Sequence, residues 1–211
     1  MSLHQVLGRA GAALAVLLAA PACGSKRVLV PPRLDLAPHA RIALVTFTVE
    51  NARGGLHTFA TQRFAEHVLA AQPGIEILEV GPADSLLARV GEREFGPRAA
   101  RALGEEQEVR SVFVGHLIVS DVKPRATLSG GLVPRAEASV QVRLAVRLLS
   151  TASGATLWRS SATATETVGA VGLSGGVPYF SAEDPNEAYG RLVNRLVYTV
   201  TYDLRPTWQK Q

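Results

Sequence analysis

Glu137–Leu149, EASVQVRLAVRLL, runs through a short polar turn into Ala155–Thr167, ATLWRSSATATET. In the first arm Ala138, Val140, Val142, Leu144, Val146 and Leu148 alternate with Ser139, Gln141, Arg143 and Arg147. Alternation of that length gives a strand with one dry face and one wet face. The turn, Ser150-Thr151-Ala152-Ser153-Gly154, is small and polar and ends in a glycine able to take a positive φ. The second arm carries Leu157 and Trp158 among Ser, Thr and Ala, as in a strand nearer an edge. A long antiparallel hairpin is therefore the centre from which the rest of the fold is read.

Upstream, Arg41–Phe47 (RIALVTF) is a nearly continuous apolar run, the pattern of a central strand covered on both faces. Thr48–Gly55 reads as a polar loop. Leu56–Ala71 reads as a helix: Leu56, Ala60, Phe64 and Val68 recur at fours, with Phe59, Ala65 and Leu69 beside them, and Pro73-Gly74 stops it. Ile75–Val80 is a second strand. A helix from Pro82 buries Leu86, Leu87 and Val90, and Pro97–Glu108 is a third, short helix. Val109–Val119 is the third strand and Ser120–Pro134 a loop. Beyond the hairpin, Val168–Asp184 reads as the longest irregular stretch, with four glycines among Val171, Leu173, Tyr179 and Phe180. Asp184-Pro185-Asn186-Glu187 is a capping box opening a final helix over Pro185–Leu204. The resulting order is β-α-β-α-α-β-β-β-α. It predicts an α/β (α+β) fold with a mixed sheet of about five strands and helices against it.

The amino terminus has another character. Arg9 precedes an apolar run from Ala10 to Ala20, shorter than the ~20 residues a membrane span needs. The run ends in Ala20-Pro21-Ala22-Cys23-Gly24, and Cys23 is the one cysteine of the chain. Small residues before a lone cysteine at the end of an export signal resemble a bacterial lipobox. The resemblance implies cleavage before Cys23 and acylation of that residue, which supplies the membrane anchor. Gly24 stands where an inner-membrane retention signal has Asp, which implies the outer membrane. On this reading residues 1–22 are the signal, 23–40 a lipid-anchored tether stiffened by prolines, 41–206 a single domain and 207–211 a tail.

Three passages resemble periplasmic lipoproteins of the TolB amino-terminal-like group. These are RIALVTF with the following helix and IEILEV; ARALGEEQEVRSVFVGHLIVSD with Leu103-Gly104 and Gly115; and VRLAVRLLSTASGATLWRSSA with Gly154 and Trp158. The resemblance covers about residues 41–167. It implies the fold shared by the curli secretion lipoprotein, the penicillin-binding-protein activator lipoproteins and the polysaccharide-secretion ring lipoproteins. That fold serves scaffolding, secretion or activation and has no catalytic residues. A curli-type channel also needs long amphipathic hairpins, for which the loops here read as too short.

The remaining chemistry is sparse. Gly169–Gly176 has neither the Lys-Ser/Thr nor the helix start of a phosphate loop. His116 and Asp121, five apart on an extended strand, face opposite sides. His57 and His67 diverge by about 80° around a helix. No G-x-S-x-G elbow occurs. No catalytic group, metal site or cofactor is predicted. The pI of about 9.6 comes from scattered arginines, not a basic cluster, so no nucleic acid is predicted as partner. Trp158 reads as cover for the sheet, while Trp208 either packs back or meets a partner. The expectation is a lipid-anchored accessory protein of the periplasmic face of the outer membrane, supporting envelope assembly or secretion and forming a homo-oligomer or binding other envelope proteins. Val171, Leu173, Tyr179, Phe180 and Trp208 are its expected contact residues. The alternatives are an envelope glycan hydrolase and a monomeric activator of a peptidoglycan synthase.

Overall fold

The computed structural model describes residues 27–52, 55–120, 123–127, 135–174, 177–182 and 185–210. They fall into two units, one holding residues up to Val30 together with those from Thr207, the other Pro31–Pro206.

The larger unit is a mixed sheet of eight strands with helices on both faces. Its strands are β2 (Arg41–Val45), β3 (Thr48–Glu50), β4 (Glu76–Gly81), β5 (Ser111–Val119), β6 (Lys123–Thr127), β7 (Arg135–Ser150), β8 (Thr156–Ser174) and β9 (Val177–Ala182). Its α-helices are α1 (Leu56–Ala71), α2 (Asp84–Val90), α3 (Pro97–Gln107) and α4 (Pro185–Val200). The main path runs β4-β2-β5-β7-β8-β9, with β3 beside β5 and β6 beside β7. β2 pairs parallel with both β4 and β5, as the two early βα units require. The remaining path is antiparallel from β5 through β9.

Both faces of β2 are buried, and the two faces feed two separate cores. Ile42 and Leu44 join Phe64 of α1 and Leu192 and Leu196 of α4. Ala43 and Val45 join Leu86 of α2 and Ala99, Ala100 and Leu103 of α3. The β7 alternation holds: Val140, Val142, Leu144, Val146 and Leu148 are buried, while Gln141, Arg143 and Arg147 are exposed. Alternation places Leu149, the next residue, on the opposite face, in the second core beside its β5 partner Val112.

The fold class is as predicted; several segments differ. Thr48–Gly55 and Ser120–Pro134, read as loops, hold β3 and β6. Val168–Asp184, read as irregular, is mostly strand: β8 continues to Ser174 and β9 pairs with it. Glycines at 169 and 172 lower the local strand signal, but extended neighbours on both sides supply the missing hydrogen bonds. Leu69, placed beside the α1 stripe, is exposed. The stretch read as tether holds strand β1 (Arg27–Val30) and a 3-10 turn at Ala37–His39, and Leu36 is fully buried. Asp184, the expected N-cap of α4, lies outside the described residues.

The smaller unit is a two-stranded antiparallel sheet. β1 pairs with β10 (Thr207–Lys210), the segment read as a tail.

Candidate functional site

The hairpin turn is built from close approaches. Thr151 is buried; its hydroxyl donates to the Val109 carbonyl (2.5 Å) and its amide to the Arg110 carbonyl (3.0 Å). A Cβ on Gly104 would collide with Thr151, so α3 meets the turn only because residue 104 lacks one. Gly154 sits at φ 73° with Pro97 against it, so it needs both the left-handed conformation and the missing side chain. These glycines and Trp158 are among the residues that carry the family resemblance, and here all three have a packing role. The Trp158 ring is edge-on to Phe113 at 6.2 Å and packs against the first core, as read. Its indole N–H is buried with no partner among the described residues.

Beside the turn is an open cleft of about 620 Å³, bordered by Pro38, His39, α3, Val109, Arg110, Ser150–Ala152 and Leu157. Arg101 and Arg110 face it with Glu105 as the one carboxylate of its lining. Both guanidinium groups also donate to backbone carbonyls, Arg101 to Ser153 and Arg110 to Pro38, each at 3.4 Å. The lining offers cations and an apolar floor, suited to holding an anionic group. Its two hydroxyls bond to backbone groups, Thr151 donating to the Val109 carbonyl and Ser150 accepting from the Ser153 amide.

The expected contact residues separate into two places. Val171 and Leu173 stand on β8 and Tyr179 and Phe180 on β9; Val171 is directly opposite Phe180, Gly172 opposite Tyr179 and Leu173 opposite Pro178. Trp208 belongs to the other unit, on β10 opposite Leu29, and is 66% exposed. Cys23 lies outside the described residues.

The cross-strand register shows an order that the linear sequence hides. Ala126, Ala136, Val171 and Phe180 form one row across β6, β7, β8 and β9, and Pro124, Ala138, Gly169 and Ala182 form another. The row between them is Arg125, Glu137, Ala170 and Ser181. Rows alternate between faces. The register thus brings Val171, Leu173 and Phe180 to neighbouring positions of the β8–β9 pair.

His116 and His67 are engaged locally, whereas the Nδ1 of His57 is buried with no partner among the described residues. His116 Nδ1 shares a hydrogen bond with the Thr48 hydroxyl at 2.7 Å, and its Nε2 lies 3.3 Å from Glu50. The partners come from β3, whose pairing beside β5 places Thr48 opposite His116. Asp121, which the sequence sets on the opposite side of the strand from this histidine, is outside the described residues. His67 stands edge-on to Tyr198 at 6.5 Å. Burial, and then the positive charge of Arg205, hold its imidazole below the usual value of 6.5. Among the described residues no three His, Cys, Asp or Glu side chains cluster as a metal site, and no helix is long and apolar enough to cross a membrane.

No family model matches the chain, and no curated protein matches it. Solved structures do. The PelC dodecamer from Paraburkholderia phytofirmans is 16% identical, over 85% of this chain and 96% of that one, with a TM-score of 0.43. A putative neuraminyllactose-binding hemagglutinin homolog from Helicobacter pylori is 8% identical over 82% and 84%, with a TM-score of 0.46. Lipoprotein GNA1162 from Neisseria meningitidis is 17% identical over 61% and 83%, with a TM-score of 0.38. Likeness at this level assigns neither a family nor an activity to the chain.

Proposed function

We propose that this chain is a lipid-anchored accessory protein of the periplasmic face of the outer membrane that supports envelope assembly or secretion through protein–protein contacts. The observation that carries the reading is the β8–β9 register, which sets Val171 opposite Phe180 and Leu173 opposite Pro178. Large apolar residues gathered at neighbouring positions are of the kind that protein contacts use. The lipobox-like sequence at Cys23 supplies the anchor in this reading, and the TolB-like resemblance supplies the envelope role.

Two other readings gain less. Glycoside hydrolysis takes two facing carboxylates, and the cleft lining provides Glu105 alone. A self-made channel needs strands of about 9–11 residues to cross a bilayer. β7 and β8, with 16 and 19 residues, reach that length, while β6 and β9, with five and six, do not.

A photo-crosslinking amino acid placed at Phe180 in whole cells tests the contact face, with the same group at exposed Ser85 on α2 as reference. Discrete adducts from position 180 that are missing from position 85 are expected. Equal labelling at the two positions, or none at 180, removes this face as the contact surface. Size-exclusion chromatography of the detergent-extracted chain then separates a homo-oligomer from the monomeric activator.

A further inference from the structure

The β1–β10 ribbon has an uneven distribution of side chains that the contact face above does not explain. Opposite residues are Arg27 with Lys210, Val28 with Gln209, Leu29 with Trp208 and Val30 with Thr207. Alternate positions share a face, so Leu29 and Trp208 stand on the same face as Arg27. Leu29 is 50% exposed and Trp208 66% exposed. For an aliphatic side chain paired across strands with an indole, that is a large apolar area left in water. The two strands, RVLV and TWQK, contain no acidic residue. A two-stranded sheet is at best marginally stable in water unless something covers it.

We propose that this face of the ribbon is a lipid-contact surface, with Trp208 and Leu29 at the headgroup boundary and Arg27 toward anionic headgroups. The chain itself limits what can cover the ribbon. Cys23 is four residues before Arg27, so an acylated Cys23 holds the start of β1 within about 14 Å of its attachment point, the reach of four extended residues. The headgroup layer on each side of the hydrocarbon is about 5–8 Å deep. A ribbon so tethered is kept beside that layer. Its composition suits the layer: indole rings are enriched at the membrane–water boundary, and cations are drawn to anionic lipid. Acylation at Cys23, part of the function proposed above, is the premise for this placement. The ribbon then adds a second, non-covalent attachment beside the acyl chains.

The test uses the full exported chain, extracted and reconstituted into phosphatidylethanolamine–phosphatidylglycerol vesicles with or without brominated lipid. Trp158→Phe leaves Trp208 as the sole reporter; Trp208→Phe leaves Trp158. Palmitate labelling is scored on the same preparations. Brominated lipid is expected to reduce the Trp208 emission and leave the Trp158 emission unchanged. Labelled protein whose Trp208 is unaffected by bromine overturns the ribbon proposal and leaves the anchor standing. Trp208 shielded from aqueous iodide but insensitive to bromine also overturns it, since a protein then covers the face. Quenching of Trp208 in unlabelled protein upholds the ribbon and sinks the anchor.

Discussion

Gln72 is a buried amide that ties together three parts of the larger unit. Its Oε1 accepts from the Leu36 amide at 2.7 Å, and its Nε2 donates to the carbonyls of Leu34 at 2.5 Å and Leu204 at 3.1 Å. The residue stands at the end of α1 and is 7% exposed. Removing its side chain orphans a buried amide and two carbonyls at once, and each buried unsatisfied group costs about 1–3 kcal/mol. Gln72→Ala should therefore lower stability by about 2–4 kcal/mol, after partial rescue by water. Gln72→Glu keeps the size and the acceptor but loses the donor, so it should also destabilise. Urea unfolding monitored by circular dichroism measures both, and an unchanged midpoint for Gln72→Ala would contradict the account. Nothing in the local sequence, AAQPG, marks this glutamine. Its partners lie 36, 38 and 132 residues away, and hydrogen bonds at such separation leave no pattern in a sequence.

The elements that were legible are those whose own residues record their surroundings. β7 alternates because it has one dry face, and RIALV is continuously apolar because both faces are covered. α1 announces itself by Ala60, Phe64 and Val68 on one stripe. The end of β8 and all of β9 were not legible. There glycine, proline and small residues dilute the strand signal, and alternation shows only once the four strands are laid in register. β1 and β10 are four residues each and lie at opposite ends of the chain, so neither carries a hint of the other. Where α1 crosses the sheet, Phe64 links Phe47 (5.3 Å between ring centroids) to Phe113 (5.1 Å), and Phe113 meets Trp158. Phe64 is fully buried. Phe64→Ala should cost about 3–5 kcal/mol through lost burial and a cavity at the centre of this ring stack. Phe64→Leu, which refills most of the space, should cost clearly less. The near-ultraviolet dichroism of Trp158 should also weaken in the alanine variant, because its edge-on neighbour Phe113 loses support. A stability loss without that spectral change would mean the rings are not coupled as described.

At the scale of the whole molecule, the division into two units makes a separable claim. Both cores, with the partly buried residues packed on them, draw on residues from Leu34 to Leu204 and on none from β1 or β10. The larger unit closes its own carboxyl end: the Arg33 and Leu34 amides donate to the Asp203 carbonyl, and Leu204 is fully buried. Deleting residues 207–211 therefore removes the partner of β1 and leaves every core contact in place. In a domain of this length about 1 kcal/mol moves the melting temperature by about 2–4 °C. The truncated chain should melt within about 3 °C of the parent, whereas truncation after Tyr202, which removes the buried Leu204, should lower the melting temperature by more than that. Under the proposed lipid contact the first truncation has a second consequence. It removes Trp208 and leaves β1 without a strand to pair with, so the chain should remain acylated and folded but lose the ribbon's contact with the vesicle. Differential scanning calorimetry reads the first effect and hydrogen exchange of the β1 amides on vesicles the second. If the shorter deletion lowered the melting temperature as much as the longer one, the ribbon would be part of the folding core, and the separate role argued for it would have to be given up.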